Sequence, residues 1–182
     1  MKNPFLVGAK VYLRPLETED AASIAAWLND PEVGEVLGFV RPFGEDGARR
    51  FLEGAASDSR QVGCGIALRR SDRLVGMIAL HHISDQRRSA ALGIAIGPPS
   101  MRGRGVGTEA TRLVLAYAFE TLNLNRVWLH AMASSHAARR VYANLGFVHE
   151  GVLREEAWRA GRHEDFVVMG LLRAEWEAGL GR

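Results

Sequence analysis

Cysteine is nearly missing from this 182-residue sequence: Cys64 stands alone. That excludes an intrachain disulfide and leaves no Cys/His framework for zinc. The twin histidines His81-His82 have no spaced partners, so no metal is expected. Long apolar runs are also missing. None approaches the ~20 residues a membrane span needs, so no membrane association is expected. The opening Met1-Lys2-Asn3-Pro4 lacks an apolar h-region, so no signal peptide is expected and cytoplasm is the default location. Charge of one sign is scarce too. The formal net charge is +2 and no dense basic run occurs, which argues against a general nucleic-acid binder. Lysine occurs only at Lys2 and Lys10, and arginine supplies the other cations. Repeats and low-complexity segments are absent. A 47% hydrophobic and 24% charged composition is that of a soluble globular chain, and residues 1–182 are expected to form one domain.

Glycine, by contrast, is concentrated where it carries information. Met101-Arg102-Gly103-Arg104-Gly105-Val106-Gly107-Thr108 follows an apolar stretch, Ala90 to Ile96, and leads into a helix former. Glycine lets a backbone turn tightly and approach a ligand. The first N–H groups of a helix have no internal partner and carry the positive end of its dipole. A strand, a glycine loop and a helix start therefore suit a phosphate or pyrophosphate. A P-loop would need Lys-Ser or Lys-Thr after its second glycine, and none is present. A dinucleotide fingerprint, G-x-G-x-x-G, fails at Thr108. The spacing that fits is Arg-x-x-Gly-x-Gly, at Arg102, Gly105 and Gly107.

The remaining pattern alternates strands and helices. Lys10 to Leu16 reads as a first strand. Thr18 offers an N-cap for a helix carrying Ile24, Trp27 and Leu28 and ending at Asn29-Asp30-Pro31. Pro31 to Gly44 reads as irregular, with Phe39 and Phe43, and Glu45 to Ser57 as a second helix. Val62 to Leu68 and Leu74 to His82 read as a hairpin around Ser71-Asp72. Ala90 to Ile96 is apolar on both faces, which implies burial on both. A helix follows the glycine loop and ends at Asn123 to Asn125. Arg126 to Met132 is a fifth strand. Ser134 or Ser135 can cap the next helix, His136 to Leu145. Phe147 to Leu153 and His163 to Leu172 close the sheet, and Glu175-Trp176 ends the domain.

The loop resembles the acetyl-CoA loop of the GNAT acyltransferase superfamily. The strings Gly103-Arg-Gly-Val-Gly-Thr-Glu-Ala110, Val11-Tyr-Leu-Arg-Pro-Leu-Glu-Thr-Glu-Asp-Ala21 and Trp27-Leu-Asn-Asp-Pro-Glu-Val33 are similar to its RimJ/RimL, ribosomal-protein N-acetyltransferase, branch. So is Ala160-Gly-Arg-His-Glu-Asp165. The resemblance spans roughly residues 8 to 177. It implies an α/β (α+β) GNAT fold: a mixed central sheet of about seven strands, splayed between the fourth and fifth and flanked by about four helices.

It also implies acetyl transfer from acetyl-CoA, without a metal, to a primary amine on a small molecule or a protein N-terminus. In such relatives the pantetheine arm lies between the splayed strands. Backbone N–H groups around Ile94 and Ile96 would hold its amides, and those from Met101 through Arg102, Gly103, Arg104, Gly105, Val106 and Gly107 to Thr108 the pyrophosphate. Val141-Tyr142-Ala143-Asn144-Leu145-Gly146-Phe147 matches the string that carries the general acid, making Tyr142 the proton donor to the leaving thiolate.

Two departures stand out. Ser135 and Ala138 occupy places usually held by Asn and Ser, and Ser135 can still bond the coenzyme. Ala91 occupies the place of the glutamate base in Ala-Glu-Leu-Gly. The base then comes from His81 or His82, only one of which can point inward, or from water. A protein α-amine, with a reference pKa of about 7.7–8.0, needs the least help. Trp27, Phe39 and Phe43 could line the acceptor pocket, with Asp165, Glu155 and Glu156 attracting a cationic acceptor. The chain is expected to be a monomer or a homodimer. Two other readings stay open: an acyl-CoA-binding domain with a regulatory role and no turnover, and an unrelated nucleotide binder.

Overall fold

The computed structural model describes residues 1–34, 37, 41–159 and 161–180. Among these, eight strands form one mixed sheet: β1 Leu6–Val7, β2 Val11–Arg14, β3 Val62–Leu68, β4 Leu74–Ser84, β5 Ser89–Ile96, β6 Arg126–Met132, β7 Val148–Arg159 and β8 Arg162–Leu172. Their order is β1-β2-β3-β4-β5-β6-β8-β7. The helices are α1 Ala21–Leu28, α2 Pro31–Gly34, α3 Glu45–Ser57, α4 Val106–Ala116, α5 His136–Asn144 and α6 Arg173–Leu180. By contacts the chain divides into two compact units, Met1–His81 with Gly93–Val114, and His82–Leu92 with Leu115–Arg182.

In the first unit β2 pairs antiparallel with β3 (Tyr12↔Ala67), and β3 with β4 (Cys64↔Ile78). Ile24 and Leu28 of α1 pack with Ala48 and Leu52 of α3, and Trp27, Phe43 and Phe51 flank that cluster. All four residues of β2 are buried, including Arg14. Its guanidinium forks onto Asp20 at 2.7 and 2.8 Å. Burial alone would raise the Asp20 pKa, but the Arg14 hydrogen bonds and the Glu17 N–H outweigh it and hold the carboxyl below its ordinary range. Asp20 thus orders the entry to α1. The N-cap residue of α1 is Asp20 and not the expected Thr18; Thr18 opens a short 3-10 turn, Thr18–Asp20, capped by Glu17, whose N–H donates to Asp20 at 2.9 Å.

In the second unit β5 runs parallel to β6, with pairing at Ser89↔Arg126, Ala90↔Val127 and Ala91↔Trp128. β6 pairs antiparallel with β8, and β8 with β7. The segment Tyr117–Thr121 widens into a π turn, with Leu122 N–H bonding the Tyr117 carbonyl at 3.0 Å. Arg173 satisfies the carbonyls this leaves, donating to Phe119 and Leu124. Such side-chain donors stand in for the missing helical bonds.

Three differences from expectation have local causes. β1 is a two-residue strand paired as Leu6↔Leu13 and Val7↔Tyr12, too short to show a period. α6 extends past Glu175-Trp176 because Trp176 is buried against Phe119, with ring centroids 5.9 Å apart. β7 continues to Arg159 through a bulge at Glu155, φ +55°, where the register jumps from Leu153↔Phe166 to Ala157↔Glu164. A bulge admits extra residues without ending the strand. A one-turn helix, α2, also forms within the stretch expected to be irregular.

Candidate active site

The glycine loop belongs to the first unit. Pro98-Pro99 start a 3-10 turn, and the Met101 and Arg102 N–H groups are used inside it, donating to Pro98 and Pro99 carbonyls at 2.9 and 3.1 Å. Gly103 and Gly105 then take φ +70° and +78°, the left-handed region that favours glycine. α4 begins at Val106, and an early helical bond runs from Glu109 N–H to the Gly105 carbonyl at 3.0 Å. The N–H groups of Val106, Gly107 and Thr108 therefore open the helix without intrahelical acceptors. Gly107 needs no special conformation: a Cβ there would meet Ile96 and Ile94 at 3.6 and 3.7 Å, ordinary contact.

Three cations lie around this turn, and they differ. The exposed Arg104 lends its carbonyl to Lys10 Nζ at 3.3 Å. The Lys10 N–H donates to Glu109 Oε1 at 2.9 Å. Lys10 was not picked out from the sequence, because 94 residues separate it from Arg104. Being one of only two lysines in the chain is its sole signal there. Arg102, in contrast, is turned away onto protein acceptors: the Ile96 and Gly97 carbonyls at 3.3 and 3.2 Å, the Glu32 carboxylate, and Asp30 at 3.5 Å. These residues fit a pyrophosphate through backbone N–H groups, two left-handed glycines, Arg104 and Lys10.

Upstream, Ile94 and Ile96 are half-buried on β5. Trp27 lies directly on Gly97, where a Cβ would fall 2.2 Å from its ring. His81 packs over Gly93, with Nε2 3.4 Å from where a Cβ would sit. Phe43 is half-buried against Phe51, ring centroids 6.3 Å apart, and its backbone is held by the Asn29 side chain at 2.8 Å on both N–H and carbonyl. Phe43 thus belongs to the packing of α1 on α3. Phe39 lies outside the described residues.

The second unit carries Tyr142, Ser135, His82 and Asp165. Tyr142 projects from α5 against Phe147, edge to face at 5.9 Å. Burial pushes its hydroxyl pKa up to about 12. Ser135 is the N-cap residue of α5, yet its side chain makes no capping bond. His82 is exposed at φ +53° near the end of β4. Asp165 Oδ1 accepts the Glu155 N–H at 2.8 Å, and its carbonyl accepts the Ala133 N–H. Its carboxylate therefore pins the β7 bulge. Glu155 and Glu156 are exposed. A cavity of about 350 Å³ beside α5 opens on another stripe, His136, Arg139, Arg140 and Ala143, not on Tyr142. Among the described residues no group of His, Cys, Asp and Glu is gathered to hold a metal, and no helix is long and apolar enough to cross a membrane.

Residues 10–148 match the Acetyltransferase (GNAT) domain family. The chain belongs to the GNAT acetyltransferase family. It is an N-acetyltransferase, and acetyl-CoA is its acetyl donor. It is similar to the "Putative ribosomal N-acetyltransferase YdaF" of Bacillus subtilis (strain 168), with 33% identity over 94% of this chain and 96% of that protein. It is 26% identical to the spermidine N(1)-acetyltransferase of Escherichia coli (strain K12), over 92% and 89% of the two chains. The crystal structure of spermidine N-acetyltransferase from Vibrio cholerae in complex with CoA and spermine matches it with TM-score 0.85 and 27% identity, over 93% of this chain and 99% of that one. GNAT membership removes the unrelated nucleotide binder.

Proposed function

We propose that this GNAT enzyme acetylates a primary amine, with a protein or peptide N-terminal α-amine as the preferred acceptor. The observation that carries the acceptor half is Ala91. It is a buried methyl, 1% exposed, where many relatives place a glutamate base. Without that carboxylate the acceptor has to arrive largely deprotonated. An α-amine near pKa 8 is substantially neutral at pH 7.5, whereas a lysine-type amine near 10.4 costs about 3–4 kcal/mol more to deprotonate. The likeness to a ribosomal N-acetyltransferase supports this reading. The likeness to spermidine acetyltransferases supports the wider amine class.

Acetyl-CoA supplies an activated thioester. The N–H groups from Gly103 to Thr108, with Lys10 and Arg104, hold its pyrophosphate. Backbone N–H groups near Ile94 and Ile96 hold the pantetheine amides and donate to the oxygen on which charge develops. His81, packed over Gly93, takes the amine proton directly or through water, and is better placed along β5 than the exposed His82. Ser135, its hydroxyl unused as a cap, is available to the coenzyme. Tyr142 donates to the departing sulfur. Its pKa of about 12 lies above that of an ordinary thiol, about 8.5. Tyr142 therefore stabilises the thiolate chiefly as a hydrogen-bond donor, and full transfer of its proton is uphill.

The test is CoA thiol release from acetyl-CoA with a panel of amines: peptides with free α-amines, peptides free only at lysine, spermidine and amino acids. Turnover fastest on α-amine peptides is the expected result. Turnover on spermidine alone would move the acceptor to polyamines. CoA binding without release on any of these amines would place the acceptor outside the panel and overturn the α-amine reading.

A further inference from the structure

The loop motif places an arginine where a phosphate cation is expected, and the structure gives that arginine other work. The Arg102 guanidinium spans the Ile96 and Gly97 carbonyls at the end of β5 and the Asp30 and Glu32 carboxylates at the corner between α1 and α2. Two carboxylates around one guanidinium leave the cluster net negative. A pyrophosphate would be repelled by it. A second contact ties the same parts together: the Trp27 ring, one turn before that corner, lies on Gly97. Gly97 in turn donates its N–H to the Val75 carbonyl at 3.1 Å. The corner continues into Asn29, whose side chain holds the Phe43 backbone ahead of α3. The root of the donor loop and the α1–α3 layer are thus joined through the Arg102 guanidinium and the Trp27 ring.

We propose that Arg102 is a positioning residue: it carries no donor phosphate but clamps the α1–α2 corner to the loop root, so that the amides of Gly103 to Thr108 are held ready for the pyrophosphate. The proposal rests on the reading of that loop as the donor site. The planar fork is needed, because four acceptors are met from three separate guanidinium nitrogens, whereas an ammonium offers three donors from a single atom. It follows that neutralising the two carboxylates weakens donor binding, although it removes negative charge near an anionic ligand. A direct phosphate role for Arg102 requires the opposite sign, since Asp30 and Glu32 would then be competitors for the guanidinium.

The experiment measures CoA affinity by calorimetry, over a range of salt, for the full chain and for Asp30→Asn/Glu32→Gln, Arg102→Ala and Arg102→Lys. All these positions are at least partly exposed, and circular dichroism reports whether each variant is folded. The expected result is a roughly tenfold weaker Kd for the carboxylate pair, a similar loss for Arg102→Ala, and no rescue by Arg102→Lys. Combining all three changes should add little beyond either alone, since they break one unit. The salt dependence of Kd should keep its slope in Arg102→Ala, because no phosphate contact is lost. Equal or tighter CoA binding by Asp30→Asn/Glu32→Gln overturns the clamp, as does a shallower salt slope in Arg102→Ala. A wild-type chain that fails to bind CoA overturns the donor-loop reading itself, and the clamp with it, which separates the two failures.

Discussion

The proposed donor loop and the α5–β8 region would do their work with different parts of the chain. From Gly103 to Thr108 the proposed binding groups are backbone N–H donors, positioned by two left-handed glycines and the start of α4. From Ser135 to Asp165 the proposed groups are side chains: one hydroxyl at Tyr142 and carboxylates divided between structure and solvent. Backbone chemistry tolerates most side-chain changes but not a change of φ. Side-chain chemistry tolerates backbone drift but not loss of one atom. The two regions should therefore fail in different ways, and that contrast can be tested.

The largest effect is expected at Tyr142. Replacing it with Phe removes one oxygen and should lower kcat by about 10²–10⁴-fold, with CoA affinity nearly unchanged by calorimetry. Unchanged turnover would break the contrast by removing the hydroxyl from the chemistry. The same hydroxyl gives a pH signature. Its pKa is raised to about 12, so the proton is retained beyond the ordinary tyrosine range. Its contribution to stability is complete below about pH 10 and declines as pH rises from there toward 12. Tyr142→Phe should flatten that alkaline limb of urea-measured stability.

Next comes the scaffold of the first unit. Asp20→Ala leaves the buried Arg14 without its partner and should cost about 3–5 kcal/mol in urea unfolding. Because the native Asp20 pKa is depressed, its stabilisation is present above the ordinary carboxylate pKa and is lost as pH falls through the native value. Asp20→Asn should therefore remove part of the acid-side slope.

The loop glycines sharpen the contrast further. Gly105→Ala forces a Cβ into φ +78°, a strain of about 1–2 kcal/mol, and should weaken CoA binding roughly tenfold. Gly107→Ala meets only ordinary contacts at 3.6 Å and should bind CoA within about twofold of wild type, with a slight gain in helix stability. Equal losses at both positions would mean that open space, not φ, is what the loop requires. The smallest effect is expected from Lys10→Ala. An exposed pairing of this kind is worth about 0.2–1 kcal/mol, and its loss should shrink as salt is added.

The residues best read from sequence were those whose work is local. The glycine spacing, the apolar stretch before it and the helix after it lie within one contiguous segment, and each appears in the fold where the pattern put it. Tyr142 and Gly146-Phe147 likewise share a helix end, where Phe147 N–H bonds the Tyr142 carbonyl at 3.0 Å. Less legible were residues whose meaning depends on a distant partner. Asp165 looks like a free acceptor carboxylate in sequence, but the β7 bulge occupies one of its oxygens. Phe43 looks like a loop aromatic, but α3 packs it. The bulge at Glu155 left no trace in the pattern, because a run of charges reads equally well as a turn.

By itself, then, the sequence determined a strand–glycine–helix turn, the order of most strands and helices, and the helix that carries Tyr142. Each follows from interactions within a few residues, such as φ preference, helix-end amides and apolar period. The tertiary structure alone decided which partners the basic residues take. Arg102, inside the motif, is drawn to Glu32 seventy positions away, and Lys10, outside it, gives its Nζ to the Arg104 carbonyl and its backbone N–H to Glu109. Such pairing is set by distance in space, and sequence separation does not encode that distance.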